Sequence, residues 1–172
     1  MDQPRRRQKD SRRGAIVVLA ALLMIVMIGL VAFGVDVGRI TLTRTQLQVA
    51  ADSAALAAAA NLGRPENEVI AIGQEFAAYH NAGGKSVELD PADVEFGTWD
   101  TETRTFTPTS SMSNAVRVTA RRDRSVGGET PLFFGMIFNQ ASFSSRASAV
   151  AVANPRDIAF VIEGTEGILT YD

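Results

Sequence analysis

The polarity pattern changes abruptly at residue 14. A basic head, with Arg5, Arg6, Arg7, Lys9, Arg12 and Arg13, runs directly into an uncharged apolar stretch from Gly14 to Val35. As a helix, Ala15 to Val35 spans roughly 32 Å at ~1.5 Å per residue, against about 30 Å for the hydrocarbon core of a bilayer. The pattern predicts a single transmembrane helix bounded by Ala15 and Val35, with no charged group to bury in lipid. The basic flank places the head in the cytoplasm and sends the chain from Asp36 onward across the membrane. The competing reading is a secreted protein with a cleaved signal peptide. Against it, the apolar run exceeds the about 7–15 residues of a signal core, and Val31-Ala32-Phe33-Gly34 is a poor cleavage site.

Helical pattern continues past the membrane. From Asp36 to Leu62 there is no proline, and Gly38 is the only glycine. Leu42, Val49 and Leu56 form one heptad-spaced row, and Ile40, Leu47 and Ala54 form a second on a different side of the helix. The run Ala54 to Ala60 has high helix propensity, and its small side chains permit close approach by a partner helix or sheet, so the helix reads either as packed on its own domain or as packed against copies of itself or partner subunits. Gly63 and Pro65 are expected to end the helix as cap and breaker. A second helix is expected from Glu66 to about His80, with Val69, Ile72, Phe76 and Tyr79 at helical spacing. Two strands around the polar turn Asp100-Thr101-Glu102-Thr103 predict a hairpin whose Phe96, Trp99 and Phe106 pack on the core. Asn114 to Arg121 alternates as a strand, Pro131 to Phe138 reads as a short apolar helix with Pro131 in its first turn, and Ser142 to Ala153 reads as one long strand. The fold class is α+β: an N-terminal transmembrane helix continuing into a long helix, then a small antiparallel sheet with one or two short helices. The expected segments are a cytoplasmic head (1–13), the transmembrane and juxtamembrane helix (14–62), an exported α+β domain (63–154) and a tail (155–172).

Composition narrows the chemistry. Net charge is −2, and with a positive head the exported part is acidic, which argues against nucleic acid as its partner. There is no cysteine, so disulfides and thiolate sites are excluded, and no Ser-His-Asp triad or zinc site is read around the single histidine. His80 reads as a surface residue at a helix end. Glu88, Asp90, Asp93 and Glu95 lack the spacing of a calcium loop and read as a solvated segment. No enzymatic activity, cofactor or small-molecule substrate is expected.

A resemblance is carried by Arg13-Gly14-Ala15, by Asp36-Val37-Gly38-Arg39, by Gln46-Leu47-Gln48 and by Ala50-Ala51-Asp52-Ser53-Ala54-Ala55-Leu56-Ala57. These residues resemble the N-terminal region of the Tad family, the TadG-like proteins of Flp pilus assembly. Phe96-Gly97-Thr98-Trp99-Asp100, Asn114-Ala115-Val116-Arg117-Val118 and Pro131-Leu132-Phe133-Phe134-Gly135 are similar to downstream parts of larger members. The resemblance implies a membrane-anchored, mostly periplasmic component of a bacterial pilus or secretion apparatus, held in the inner membrane by one span. Its implied partners are the lipid bilayer and other pilus-assembly subunits or copies of itself. It also implies that Asp36, Gly38, Arg39, Gln46, Leu47, Gln48 and Asp52 contact a partner, and the alanine run adds Ala55 and Ala58 to that face.

Two features depart from related patterns. Type IV prepilins are cut after a glycine that follows a basic leader, and Gly14 occupies such a place. The fifth residue after it is Leu19, with no acid before Asp36, so the anchor is expected to be retained. The tail Pro155 to Glu163 resembles the opening strand of a von Willebrand factor A domain, whose metal motif would fall on Glu163, Gly164, Thr165, Glu166 and Gly167. Glu163 and Thr165 are tolerable substitutes, but Gly167 has no hydroxyl, so no bound metal is expected. A truncated metal-dependent adhesion protein is the alternative this tail suggests.

Overall fold

A computed structural model describes residues 11–109 and 111–153, with side chains in the first helix from residue 16 onward. The expectations for Arg5, Arg6, Arg7, Lys9, Glu163 and Thr165 lie outside the described residues, as does the tail resemblance. Arg12 and Arg13 fall in the first turn of the first helix.

One unbroken helix, α1 (Ser11–Ala60), contains both the apolar stretch and the alanine run. At ~1.5 Å per residue its 50 residues extend about 75 Å. Its two halves are solvated differently. From Ile16 to Phe33 the large apolar side chains stand exposed around the helix, and among the described residues only the small Ala32 is buried there. A helix that is apolar all round belongs in a membrane span or in the interior of a larger protein body. Among the described residues it is the one helix long and apolar enough to cross a membrane. Beyond residue 40 a single face is buried. Leu47, Ala50, Ala51, Ala54, Ala55, Ala58 and Ala59 form the spine of the core.

The end of α1 differs from the expected glycine cap. Gly63 does not adopt the left-handed conformation; the helix tightens instead, with Asn61 N–H donating to Ala58 O (3.0 Å) and the Asn61 side-chain amide to Ala57 O (2.9 Å). Helix α2 (Glu66–Ala78) then returns along α1, burying Val69, Gly73 and Ala77. A methyl group on Gly73 would lie 3.9 Å from Ala58 Cβ, ordinary contact, so alanines and this glycine let the two helices approach closely.

The main sheet has the order β4-β3-β5-β8, all neighbours antiparallel, built from β3 (Val94–Asp100), β4 (Thr105–Pro108), β5 (Ala115–Arg122) and β8 (Ser145–Val152). Two short ladders accompany it: β1 (Asn81–Ala82) with β2 (Lys85–Ser86), and β6 (Thr130–Pro131) with β7 (Ser142–Phe143). On β5, Val116, Val118 and Ala120 face α1, opposite Ala151, Ala149 and Ala147 of β8. The small residues of β8 thus meet the small residues of α1, which explains an otherwise featureless strand. The other face of β5 is polar: Arg117 pairs with Glu95, and Arg121 with Asp93 at 2.8 Å.

Three expectations are corrected here. Pro131 does not begin a helix; it pairs with Ser142 in the β6–β7 ladder, and the helical turn is a four-residue 3-10 segment, Gly135–Phe138. The strand expected over 142–153 is broken at Ser144, because β7 pairs with β6 while β8 pairs with β5. Of the hairpin aromatics, Phe96 packs on the core, whereas Trp99 and Phe106 are cross-strand partners on the opposite face. There the Phe106 ring covers Gly97, where any Cβ would meet it at 2.5 Å, and Arg117 stacks on the ring at 4.6 Å.

Candidate functional site: the juxtamembrane helix and its clamps

The residues singled out by the motif lie along one stretch of α1, and most of them turn inward. Asp36 sits at the end of the apolar stretch and is only 8% exposed. Its two carboxylate oxygens accept hydrogen bonds from the backbone N–H groups of Phe133 (2.9 Å) and Phe134 (3.1 Å). Arg39, one turn on, stacks over the Phe133 ring at 4.5 Å, and its Nε is buried with no partner among the described residues. Asp36 and Arg39 therefore grip the β6–β7 connection.

The next clamp is Gln46, whose Oε1 accepts from Gly83 N–H at 2.9 Å. Gly83 has φ +60°, and a Cβ there would fall 2.9 Å from Thr130 Oγ1 and 3.0 Å from an Arg122 nitrogen, so the turn requires glycine. Leu47 is fully buried in the core. The Gln48 amide donates to Ser148 O on β8 (3.2 Å) and to Asp52 Oδ1 (2.9 Å). Asp52 is exposed and orients Gln48. The string of polar motif residues thus docks the helix onto three parts of its own domain.

Gly38 is exposed, with open space where a Cβ would stand, so no packing among the described residues demands glycine there. Ala55 and Ala58 are fully or almost fully buried in the chain's own core. The surface that they were expected to offer a partner is already occupied by α2 and the sheet, because small residues on both sides close that gap. The two heptad rows separate accordingly. Leu47 and Ala54 are buried, while Leu42, Val49 and Leu56 remain 58%, 49% and 67% exposed on the outer side. Val35, also exposed, continues that row into the apolar stretch. Thr41 and Thr45 beside it bond back to the carbonyls of Val37 and Thr41, leaving few free polar groups along the stripe.

Two features escaped the sequence pattern. Arg122 is 2% exposed and has no carboxylate partner among the described residues. Its guanidinium donates to Ala82 O (2.5 Å), Gly127 O (2.7 Å) and Gly128 O (3.1 Å), tying β5 to the β1–β2 turn and the glycine loop. Desolvation draws its pKa below the ordinary arginine value. A second arginine beside Arg121 on an alternating strand was the available signal. The other feature is the connection between β6 and β7, where Phe133, Phe134, Met136, Ile137 and Phe138 are all exposed.

The acidic residues of the β3 region have other work. Asp90 caps the 3-10 turn Pro91–Asp93 through Ala92 N–H (3.0 Å), and Asp93 and Glu95 pair with arginines. Among the described residues no cluster of three or more metal-ligating side chains occurs.

Comparison with known families agrees with this arrangement. A family model described as Flp pilus-assembly TadE/G-like matches residues 14–61, which include the apolar stretch and the clamp residues after it. A second, Tad_C, described as Tad-like Flp pilus-assembly, matches residues 41–153, which includes every strand of the domain. No curated protein and no solved structure matches the chain. The helix with its inward-turned motif and the sheet on which it docks lie within the two matched spans, and the chain belongs to the Tad-like Flp pilus-assembly family.

Proposed function

We propose that the protein is a membrane-anchored structural or accessory component of a Tad/Flp-type pilus assembly or secretion system, without catalytic activity. It crosses the bacterial inner membrane once, through residues 15–35, with the basic head cytoplasmic and the α+β domain in the periplasm. The observation that carries this reading is the continuity of α1. One helix passes from an uncovered apolar stretch into the core of the domain, so the anchor and the domain move as one body. Cleavage of the apolar stretch as a signal peptide would cut inside this element and within the matched residues 14–61.

The assembly face is the outer stripe Leu42, Val49 and Leu56. It is apolar, it lies on the side of α1 away from the domain, and its seven-residue spacing suits a helix of another subunit or of a second copy. Tests of its two parts are separate. Alkaline phosphatase fused after Asp172 should be active, reporting a periplasmic domain; an active cytoplasmic reporter at the same place would overturn the orientation. Serine at Leu42, Val49 and Leu56 together should abolish co-purification of partner subunits from detergent-solubilised membranes.

A further inference from the structure

We infer that the connection between β6 and β7 is a second membrane contact: its apolar turn, residues 133–138, dips into the periplasmic leaflet of the bilayer beside the anchor helix. This inference rests on the reading of residues 15–35 as a membrane span.

Position is the first reason. The connection is gripped by Asp36, at the point where the apolar stretch ends, through the N–H groups of Phe133 and Phe134. Ala32 lies one helical turn deeper on the same face as Asp36 and is 5% exposed, whereas Val31 and Phe33 beside it are bare. The clamp holds Phe133 and Phe134 against the helix at the level of Asp36, where the apolar stretch ends.

Composition is the second. Residues 130–145 carry no charged side chain. Within them Phe133, Met136, Ile137 and Phe138 are 64–75% exposed, and Phe134 is 38% exposed. Elsewhere in the domain the exposed large apolar residues, such as Tyr79 and Met112 or the spaced row Leu42, Val49 and Leu56, do not form a continuous turn. A contiguous apolar cluster on a soluble surface marks a contact.

The third reason is that the turn is built to hold these side chains outward. Leu132 N–H donates to Ala141 O and Gln140 N–H to Gly135 O, both at 2.9 Å. Asn139 closes the turn in the left-handed conformation at φ 58°. Gly135 has no room for a Cβ, which would meet the Leu132 side chain at 2.6 Å. At the base of the connection, Glu129 accepts from Ser142 Oγ (2.5 Å) and Ser144 Oγ (3.0 Å). A turn closed by its own backbone bonds satisfies much of its polar requirement internally, which is what a segment entering lipid needs. Arg39, stacked on Phe133, stands at the headgroup side of the turn.

The occupant is therefore phospholipid, and the experiment distinguishes it from protein. The chain has no cysteine, so single-cysteine sites are introduced without removing any. Ile137→Cys, Ile25→Cys and Glu102→Cys are labelled with an environment-sensitive nitrobenzoxadiazole fluorophore. The full chains are reconstituted at low protein content in phosphatidylcholine–phosphatidylglycerol vesicles containing spin-labelled lipids of shallow or deep position. The label at 137 should emit to the blue and lose intensity most with the shallow quencher. The label at 25 should lose most with the deep one, and the label at 102, on the hairpin tip, with neither. Quenching at 25 without quenching at 137 overturns the loop contact and leaves the anchor standing. Blue emission at 137 without lipid quenching also overturns it, because protein then covers the turn. No quenching at either 25 or 137 removes the span and the loop contact together.

Discussion

Arg122 and Asp36 each serve as a point where distant segments are tied by hydrogen bonds to one side chain. Replacing Arg122 by alanine leaves three carbonyls without their donors and opens a gap under the Gly127-Gly128 loop. Charged-group hydrogen bonds contribute about 1.5–3 kcal/mol each, so the loss should be about 3 kcal/mol or more, read as a fall in the midpoint of denaturant unfolding. Arg122→Lys should recover only part of it, since one ammonium cannot reach three carbonyls held around a planar fork. Acid acts on different side chains. Asp123 is held down to about 2, first by the Ser125 hydroxyl and then by the Val126 and Ser125 amides. Asp100 and Glu129 are also lowered, chiefly by the hydroxyls of Thr103 and Ser142. A carboxylate with a lowered folded-state pKa stabilises above its unfolded value and loses that contribution as pH falls through the folded value. The loop turn at Asp123 should therefore hold at neutral pH and loosen from the ordinary carboxylate range down to about 2, and the hairpin turn at Asp100 should loosen below the ordinary carboxylate range. Amide exchange at Glu102 and Val126 against pH reports this; protection that stayed constant to pH below 2 would contradict it.

At the level of elements, the apolar periodicity of α1 was legible in the sequence, but its meaning was not. Both heptad rows are visible as letters, yet periodicity does not say which row a sheet will cover. That depends on residues about a hundred positions away, the alanines of β8 and the Ser148 carbonyl that Gln48 reaches. The same limit affects the Pro131 segment. Its local pattern suits a helix start, and the β6–β7 ladder overrides it through a partner strand that no local window contains. The hairpin and β5 were readable because turn residues and alternation are local signals. Two substitutions separate the two sides of α1. Ala55→Leu and Ala58→Leu overpack the core and should each destabilise the domain by about 1–3 kcal/mol. Leu42→Ser and Val49→Ser, on the exposed side, should leave stability within about 0.5 kcal/mol of the parent. Thermal unfolding of the detergent-solubilised chain checks both; equal effects on the two sides would mean that the domain does not sit on the face described.

At the scale of the whole molecule, one helix joins the apolar stretch to the α+β domain. The sequence alone displayed the anchor through length and charge, and the family pattern through Asp36-Val37-Gly38-Arg39 and Gln46-Leu47-Gln48. It did not display that these polar residues face inward, since a motif string carries no direction. With them turned inward, α1 runs as one helix from the apolar stretch into the core, and the outward row stays uncovered for the proposed assembly contact. A charge in the middle of the span tests the anchor: Ile25→Arg should cost about 2.5–3.5 kcal/mol of insertion and lower the membrane-integrated fraction. Insertion unchanged from the parent would place the span elsewhere.

The central claim is that α1 docks inward through its alanine face and its clamps, and assembles outward through Leu42, Val49 and Leu56. Quantitative co-purification from solubilised membranes of the Leu42→Ser, Val49→Ser, Leu56→Ser triple variant, beside its thermal unfolding, tests it most directly. The expected result is loss of partner subunits with an unfolding temperature close to the parent's. Partners retained at the parent's level by a normally folded triple variant would contradict it.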